Sequence, residues 1–433
     1  MNHSMSIAII GAGPSGLSAA DTLRQLGYRH ITIFEKNSRV GGKVHSVSSP
    51  AGVVEMGAVL ASAECELVLG LARRLSIPLL PYPAQQRYLD AQGQRHDALS
   101  WLQLSYPLAQ IQEAIRCYAA VLTQFADLSQ DDSLIVHEDL LLSLDRFADK
   151  YGFTPVAELA RSMLVGFGYG YIETVPALYY MKLLAWLFKP DAQGGLVAGD
   201  FYMFPTGFQS LWEAVASEHQ VQLGAAVTEL RRTSDPEGRI VLTINGQEQH
   251  SFDAVIIAAP LHTLKDFMQL TEEEHSLFSQ LKSTRYIVSA FAADGLETGE
   301  FLFLPENGHA AGIGHMNAWA NRNPAVPVYL GWQTAAWTST VAELEQYLAN
   351  DVSAQGGALK QTVLRQEWDY FPHVDAAEIR ADYFARIERL QGQGGICFVG
   401  SALNFETVEH SARQARALVQ RCFGTQAQCN NSQ

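Results

Sequence analysis

Basic charge is scarce in this chain, and what there is lies scattered. Thirty Lys and Arg stand against 45 Asp and Glu, a formal net charge of −15. Nucleic acid needs clustered cations and is not an expected partner, and an anionic membrane surface repels such a chain on average. A local basic mouth for a carboxylate is compatible with that average. Cysteine is sparse too. Cys65, Cys117, Cys397, Cys422 and Cys429 are odd in number and form no C-x-x-C pair, which argues against a disulfide framework and against zinc; no metal is expected. Long apolar runs are missing. The most apolar stretch, 176–188, has Lys182 inside it and falls short of the roughly 20 residues a spanning helix needs, so no stable membrane insertion is expected. Residues 1–5 form a short, mostly polar stretch that runs straight into an apolar strand, so no signal peptide is expected, and the expected location is cytoplasmic.

What is present is the composition of a compact soluble protein, 48% apolar and 17% charged over 433 residues, long enough for about two to three domains. The densest information lies at the N-terminus. An apolar run, Ser6-Ile7-Ala8-Ile9-Ile10, flows into Gly11-Ala12-Gly13-Pro14-Ser15-Gly16 and then into an Ala- and Leu-rich segment; a second apolar run, 30–34, ends at Glu35. Strand, glycine turn, helix, strand and acid is the order that binds a dinucleotide. The glycines supply a tight turn, close approach of backbone to a pyrophosphate, and close packing of helix on strand. The helix N-terminus offers free N–H groups and partial positive charge to the phosphates. Glu35 is placed to accept hydrogen bonds from a ribose, and its charge disfavours a ribose phosphate.

The residues after Glu35 narrow the cofactor. Lys36, Arg39, Gly41, Gly42 and Lys43 form a basic, glycine-paired loop, in which Lys43 is expected to neutralise pyrophosphate charge. Together with the glycine turn, this run resembles the FAD-binding signature of the flavin amine oxidase superfamily: G-x-G-x-x-G, then Glu, a basic residue, and R-x-G-G-[RK]. Further blocks resemble the same superfamily. Met56-Gly57-Ala58 matches the segment near the isoalloxazine, 204–211 the Pro-x-Gly block, and Val227 the strand that meets the adenine. The segment 252–260 matches the strand re-entering the cofactor domain, Gly400-Ser401 the end of the last strand, and 406–419, with Val408, the helix aimed at the flavin. The resemblance implies non-covalent FAD in a Rossmann-like α/β domain joined to a discontinuous α+β substrate domain. Segments 136–140, 167–170, 175–177 and 370–374 further resemble the bacterial FAD-containing polyenoic fatty acid isomerases, which move a double bond of linoleate into conjugation.

Organisation follows. The FAD-binding domain is expected at 1–75, 200–260 and 390–425, the substrate domain at 76–199 and 261–389, and a flexible tail at 426–433. Helices are expected at 64–75, 108–128, 140–151, 155–165 and 176–188, the last apolar nearly all round and therefore buried. Strands are expected at 220–223, 226–233, 239–245, 285–293, 301–304 and 328–332, with Asn245-Gly246 as a hairpin turn.

A flavin carries its own chemistry, and the protein supplies position, dryness and charge. Aromatic residues crowd 167–208: Phe167 and Tyr169 alternate with glycines, and Phe201, Tyr202 and Phe204 follow. These form either core or the wall of a tunnel for a long apolar substrate. Phe371 belongs with them. In the isomerases an Arg just before a strand holds the fatty-acid carboxylate. Here the ungapped register puts Gln86 at that position and Arg87 one step on, so Arg87 is the candidate ligand, although one step along a strand turns a side chain to the opposite face. Three further points bear on chemistry. The superfamily's acid after Gly400 is replaced by Ser401. The strand 285–291, where the oxidases hold a Lys near flavin N5, has none. Tyr370 and His373 lie in an expected loop near the flavin and are the catalytic candidates. The function expected is hydride transfer between flavin N5 and an apolar, fatty-acyl or polyene-like substrate, with double-bond isomerisation as the first reading. Net oxidation by an amine oxidase or desaturating dehydrogenase is the second.

Overall fold

A computed structural model of the chain describes residues 4–49, 52–82, 85–129, 137–191, 195–232, 238–321, 323 and 325–424. Val136, Thr233 and the segment 426–433, all named above, lie outside them. Five parallel strands form the first sheet, in the spatial order Val221–Leu223, His30–Glu35, Ser6–Ile10, Ala254–Ile257 and Ile396–Phe398. Its central strands are unbroken apolar runs because both faces are covered. On one face Ile7, Ile9 and Ile33 pack with Leu17, Ala20 and Leu23 of helix Pro14–Gln25, and with Ala412, Ala415 and Leu418 of helix Val408–Phe423. On the other, Ala8, Ile10 and Phe34 meet a three-stranded antiparallel sheet, Val227–Arg232, Ile240–Ile244 and Glu248–Phe252. Asn245 and Gly246, at φ 51° and 73°, make its hairpin turn, as Asn-Gly in a type I′ turn requires.

The second sheet has seven strands, ordered Ala358–His373, Lys282–Asp294, Val328–Ala335, Met316–Ala320, Glu300–Phe303, Gln85–Leu89 and Arg95–His96. It is mixed: Glu300–Phe303 runs parallel to Gln85–Leu89 and the other neighbours are antiparallel. Helix Thr154–Gly166 lies on one face and helix Val341–Ala354 on the other, the latter through Leu348 and Val352 against Leu302, Trp319 and Tyr329. The chain is thus an α/β protein with a Rossmann-like parallel sheet and a second, mixed α/β unit. No helix among the described residues is long and apolar enough to cross a membrane.

The expected helices form within a few residues of their expected bounds, as Glu66–Arg74, Leu108–Gln124, Leu144–Tyr151, Thr154–Gly166 and Ala177–Leu187. The expected loop at 370–373 does not. These residues end the longest strand, Ala358–His373, whose mostly polar sequence carries no alternating apolar signal. It is an edge strand, which tolerates Pro372 because the missing N–H is not needed on that side. Its pairing slips between Lys282↔His373 and Thr284↔Tyr370. That bulge places Phe371 at φ 52° and drives its ring into the core between Tyr169 and Tyr179.

The last helix is anchored at its N-terminus. Thr407 Oγ1 accepts from the His410 backbone N–H at 3.0 Å, and the His410 ring stacks on Trp186 at 4.6 Å. Burial, with Lys182 and Arg413 adding to it, holds this imidazole well below its ordinary value of 6.5. As pH falls through 6.5 the unfolded chain takes up a proton here that the folded chain refuses. Stability is therefore expected to drop by about 1 kcal/mol between pH 7.5 and 5.5 on account of this residue. Urea unfolding at both pH values should show that part of the drop missing in His410→Gln.

Two glycines in helices provide an internal contrast. A Cβ on Gly16 overlaps the carbonyl oxygen of Gly11 and lies 3.3 Å from Ala258 Cβ, whereas nothing lies within 4 Å of one on Gly70. Gly16→Ala is expected to destabilise the fold by about 1–3 kcal/mol. Gly70→Ala, in the interior of helix Glu66–Arg74, is expected to stabilise it by about 0.5–1 kcal/mol. Chemical denaturation of the two variants checks both the signs and the gap.

Candidate active site

A cavity of about 900 Å³ opens at the glycine turn and ends among aromatic side chains contributed by the second half of the fold. Its first part is made of backbone. Gly11, Gly13, Pro14 and Ser15 line it. Gly13 is the N-cap of the first helix and brings no capping side chain, and Pro14 follows at the first helical position, so the free N–H groups of that end face the cavity. Across from them, Gly42 stands at φ 55°, and a Cβ on it would come within 3.2 Å of Gly13 Cα. Gly16 is off the cavity, and its contribution is the helix packing described above. Glu35 is 5% exposed. Its carboxylate accepts from Ala12 N at 2.8 Å and from Asn37 N at 2.9 Å, which fixes a charged acceptor at the cavity edge beside Lys36. Val227, Gly400, Ser401 and Val408 line the wall, as do Gly57 and Ala58. His45 adds a buried Nδ1 with no hydrogen-bond partner. A glycine cradle, a helix N-terminus, a ribose-competent carboxylate and an unsatisfied ring nitrogen together fit an elongated dinucleotide carrying a polar ring system.

Of two expected cofactor residues, one is off the cavity and the other is paired within it. The Met56 side chain is 2% exposed and packed in the core. Its backbone turns the chain instead, donating to His45 O at 2.7 Å and accepting from Trp368 Nε1 at 2.7 Å. Lys43 lines the cavity, but its ammonium pairs with Glu406 Oε2 at 3.1 Å and lies 5.2 Å from the centre of the Tyr370 ring. It is therefore committed to the region where the two sheets meet, and Arg39 occupies the glycine-loop side, donating to the carbonyls of Val40, Val44 and Gly42.

Glu406 was not singled out by sequence reasoning, and it joins more of the site than any residue that was. Ser401 Oγ donates to its carboxylate at 2.8 Å, Lys43 pairs with the same oxygen, and its backbone carbonyl accepts from Tyr169 OH at 2.9 Å and Tyr370 OH at 3.5 Å. An acid thus stands beside Ser401, brought there from five residues later by a chain that folds back. The available signal was an unassigned Glu at the entrance to the last helix.

The far part of the cavity is an apolar arm. Phe167, Tyr169 and Phe201 line it, together with Tyr286, Phe301 and Trp332 of the large sheet and Leu183, Trp186 and Leu187 of helix Ala177–Leu187. Tyr370 lines it too. Burial pushes the phenols of Tyr169, Tyr286 and Tyr370 far above their ordinary range, so they stay protonated and neutral. Burial likewise holds the Cys65 thiol protonated, with Glu409 adding to the effect.

Several expected substrate residues are not on the arm. Phe204 stacks on Phe208 at 4.2 Å in the core beneath the parallel sheet. Tyr202 pairs with Ala61 and Pro81 in a three-stranded sheet. Phe371 is fully buried in the core. His373 stands behind it, with Nδ1 at 2.9 Å from Phe371 O, and does not reach the cavity. Arg87 is also off the cavity. In the strand register Gln86 pairs with Phe301, which lines the cavity, and Arg87 pairs with Leu302, which packs under helix Val341–Ala354. The alternation of the strand turns Arg87 to the opposite face, where its guanidinium donates to Gln85 Oε1 at 2.7 Å.

Known proteins place these features in context. The FAD-dependent oxidoreductase dpchF of Colletotrichum higginsianum is 26% identical, over 92% of this chain and 88% of that protein. The CLA-producing fatty acid isomerase from P. acnes superposes with a TM-score of 0.88 at 24% identity, covering 98% of this chain and all of that one (100%). Putrescine oxidase superposes with a TM-score of 0.69 at 16% identity, over 96% and 98% of the two chains. The family model for flavin-containing amine oxidoreductases matches residues 14–422. With a glycine cradle, a buried acid at the second strand and an adjoining apolar arm, the chain belongs to the flavin-containing amine oxidoreductase family.

Proposed function

We propose that this flavoenzyme holds FAD non-covalently in segments 1–75, 200–260 and 390–425, and shifts a double bond in an apolar, unsaturated substrate enclosed by segments 76–199 and 261–389. The observation that carries this reading is the aromatic arm, continuous with the dinucleotide cradle and walled by Phe167, Tyr169, Phe201, Tyr286 and Trp332. Non-covalent binding is supported by Cys65, the cysteine that lines the cavity among the described residues, whose buried, protonated thiol is a poor nucleophile.

When bound, the flavin supplies a ring position that exchanges hydride with carbon. The chain supplies the surroundings. Tyr169, Tyr286 and Tyr370 form one aromatic cluster, with ring centres 5.8 and 5.1 Å from Tyr370. Neutral phenols cannot act as bases, but their faces stabilise positive charge developing on an allylic carbon. The apolar walls exclude water that would trap such a cation. Glu406 holds Lys43 against Tyr370, where the ammonium is already paired. Strand Lys282–Asp294 meets the cavity through Tyr286 and brings no Lys to it, since Lys282 pairs with Asp375. This favours isomerisation over net oxidation. The second reading, net oxidation with reoxidation by oxygen or a carrier, is favoured by the oxidoreductase relative that aligns over most of the chain.

Anaerobic incubation of the flavin-loaded protein with a series of polyenes separates the two. An isomerase converts many equivalents without an acceptor, leaves product mass unchanged and returns the flavin to its oxidised spectrum. A single turnover, with bleached flavin and a product lighter by two hydrogens, would establish the oxidation instead. For the cofactor site, Glu35→Ala is expected to weaken flavin binding by about 1–3 kcal/mol through loss of charge-assisted hydrogen bonds to ribose. Lys43→Ala is expected to weaken it less, because Lys43 is paired with Glu406. Flavin fluorescence titration of the apo forms orders the two effects.

A further inference from the structure

The charged groups that line the cavity stand outside the wall of the arm, which is made of aromatic and aliphatic side chains. Lys43 and Glu406 hold each other at 3.1 Å, and Ser401 adds to the same carboxylate. Asp369 Oδ2 pairs with His262 at 2.7 Å while its buried Oδ1 has no hydrogen-bond partner, and Asp266 lines the cavity from the turn Leu261–Asp266, whose next residue, Phe267, accepts from Leu230 N of strand Val227–Arg232 on the dinucleotide side. Arg39 spends its donors on three backbone carbonyls of the glycine loop. Glu35 and Lys36 stand at the dinucleotide end. Glu409, fully buried, accepts at 2.9 Å from both Leu67 N and Val68 N in the first turn of helix Glu66–Arg74. The cations close in sequence to arm residues face elsewhere: Lys182 donates to Asn404 Oδ1 at 2.7 Å, Arg285 donates to Glu367 and to the carbonyls of Ala336 and Ser339, and Lys189 pairs with Glu64; Arg87 lies on the opposite side of the sheet.

On that balance we propose that the part of the substrate entering the arm is electrically neutral, with neither a free carboxylate nor an ammonium group. This rests on the reading of the arm as the substrate site. A carboxylate in the arm would find no cation among the residues that wall it, and an ammonium would find no acid. Either would lose its hydration against Phe167, Leu183, Phe201 and Trp332 with nothing to replace it, and the loss of affinity follows from desolvation of an unpaired charge. The chemical class that fits is an unsaturated chain whose polar end is an ester, amide, alcohol or carrier linkage. A fatty acid or an amine whose charged group has to enter the arm does not fit it.

The test uses three probes of equal length, decanol, decanoate and decylamine, below their micellar concentrations at pH 7.5. Binding to the flavin-loaded protein is read by calorimetry and by perturbation of the flavin absorbance. Decanol is expected to bind at least about tenfold more tightly than either charged probe, a factor of ten being a small difference for a charge buried unpaired. Phe201→Arg places a cation on a partly exposed wall residue and is expected to close the gap for decanoate but not for decylamine. Arg87→Ala is expected to change none of the three. Decanoate or decylamine binding as tightly as decanol to the unaltered protein overturns the neutral-substrate proposal while leaving the arm as the substrate site. If no probe perturbs the flavin and Phe201→Arg alters the binding of none, the arm is not the substrate site, and both readings fall.

Discussion

Gly16 lets helix Pro14–Gln25 press against the turn at Gly11 with no side chain between them, and the cofactor end of the molecule is built on that approach. It points the N-terminus of the helix across the turn toward Gly42, and it brings Ala12 N within reach of the Glu35 carboxylate. The same packing puts the first helix against the last one, Val408–Phe423, through a core of small residues, Ala19, Ala20, Ala412 and Ala415. The entrance to the last helix, which carries Glu406 and Thr407, is thereby held beside the cavity. A side chain at position 16 would move the turn and the helices together, because close-packed interiors transmit displacement.

Where the two sheets meet, Glu406 takes over as the organising group. Its carboxylate ties Ser401 to Lys43, and its carbonyl ties Tyr169 to Tyr370, so groups from separated parts of the chain converge on one residue. The two oxygen sets have different consequences. The carboxylate neutralises a cation that would otherwise face the arm. The carbonyl orients two phenols whose rings form the arm's wall at the flavin end. Charge is thus balanced at the boundary, and the arm beyond it stays apolar.

The edge strand Ala358–His373 contributes in another way. Its bulge turns Phe371 inward and leaves Trp368 and Tyr370 on the cavity side. Without the extra residue, the alternation along the strand would continue and place these aromatics differently. Trp368 also closes the circuit back to the cofactor end by donating to Met56 O. A backbone carbonyl, and not the Met56 side chain, connects that segment to the site.

The glycine turn, the acid at the end of the second strand and the family to which the chain belongs were determined by the sequence itself, because these features are local. They need only the turn geometry of a few adjacent residues and the length of one strand–helix–strand unit. The helices were legible for the same reason, from apolar residues recurring every three to four positions. Side-chain direction was not local. Arg87 and Gln86 are neighbours in sequence, yet pairing with Glu300–Phe303 puts one on the face away from the cavity and the other on the cavity face. Phe204 and Tyr202 look as suitable for a wall as Phe201, and only packing on Phe208 and pairing with Ala61 and Pro81 remove them from it. Lys43 looks free until a carboxylate 363 positions away reaches it. Which faces of the strands meet, and which charges pair across the closed chain, is decided by tertiary contacts between residues far apart in sequence, and that decision sets the polarity of the arm.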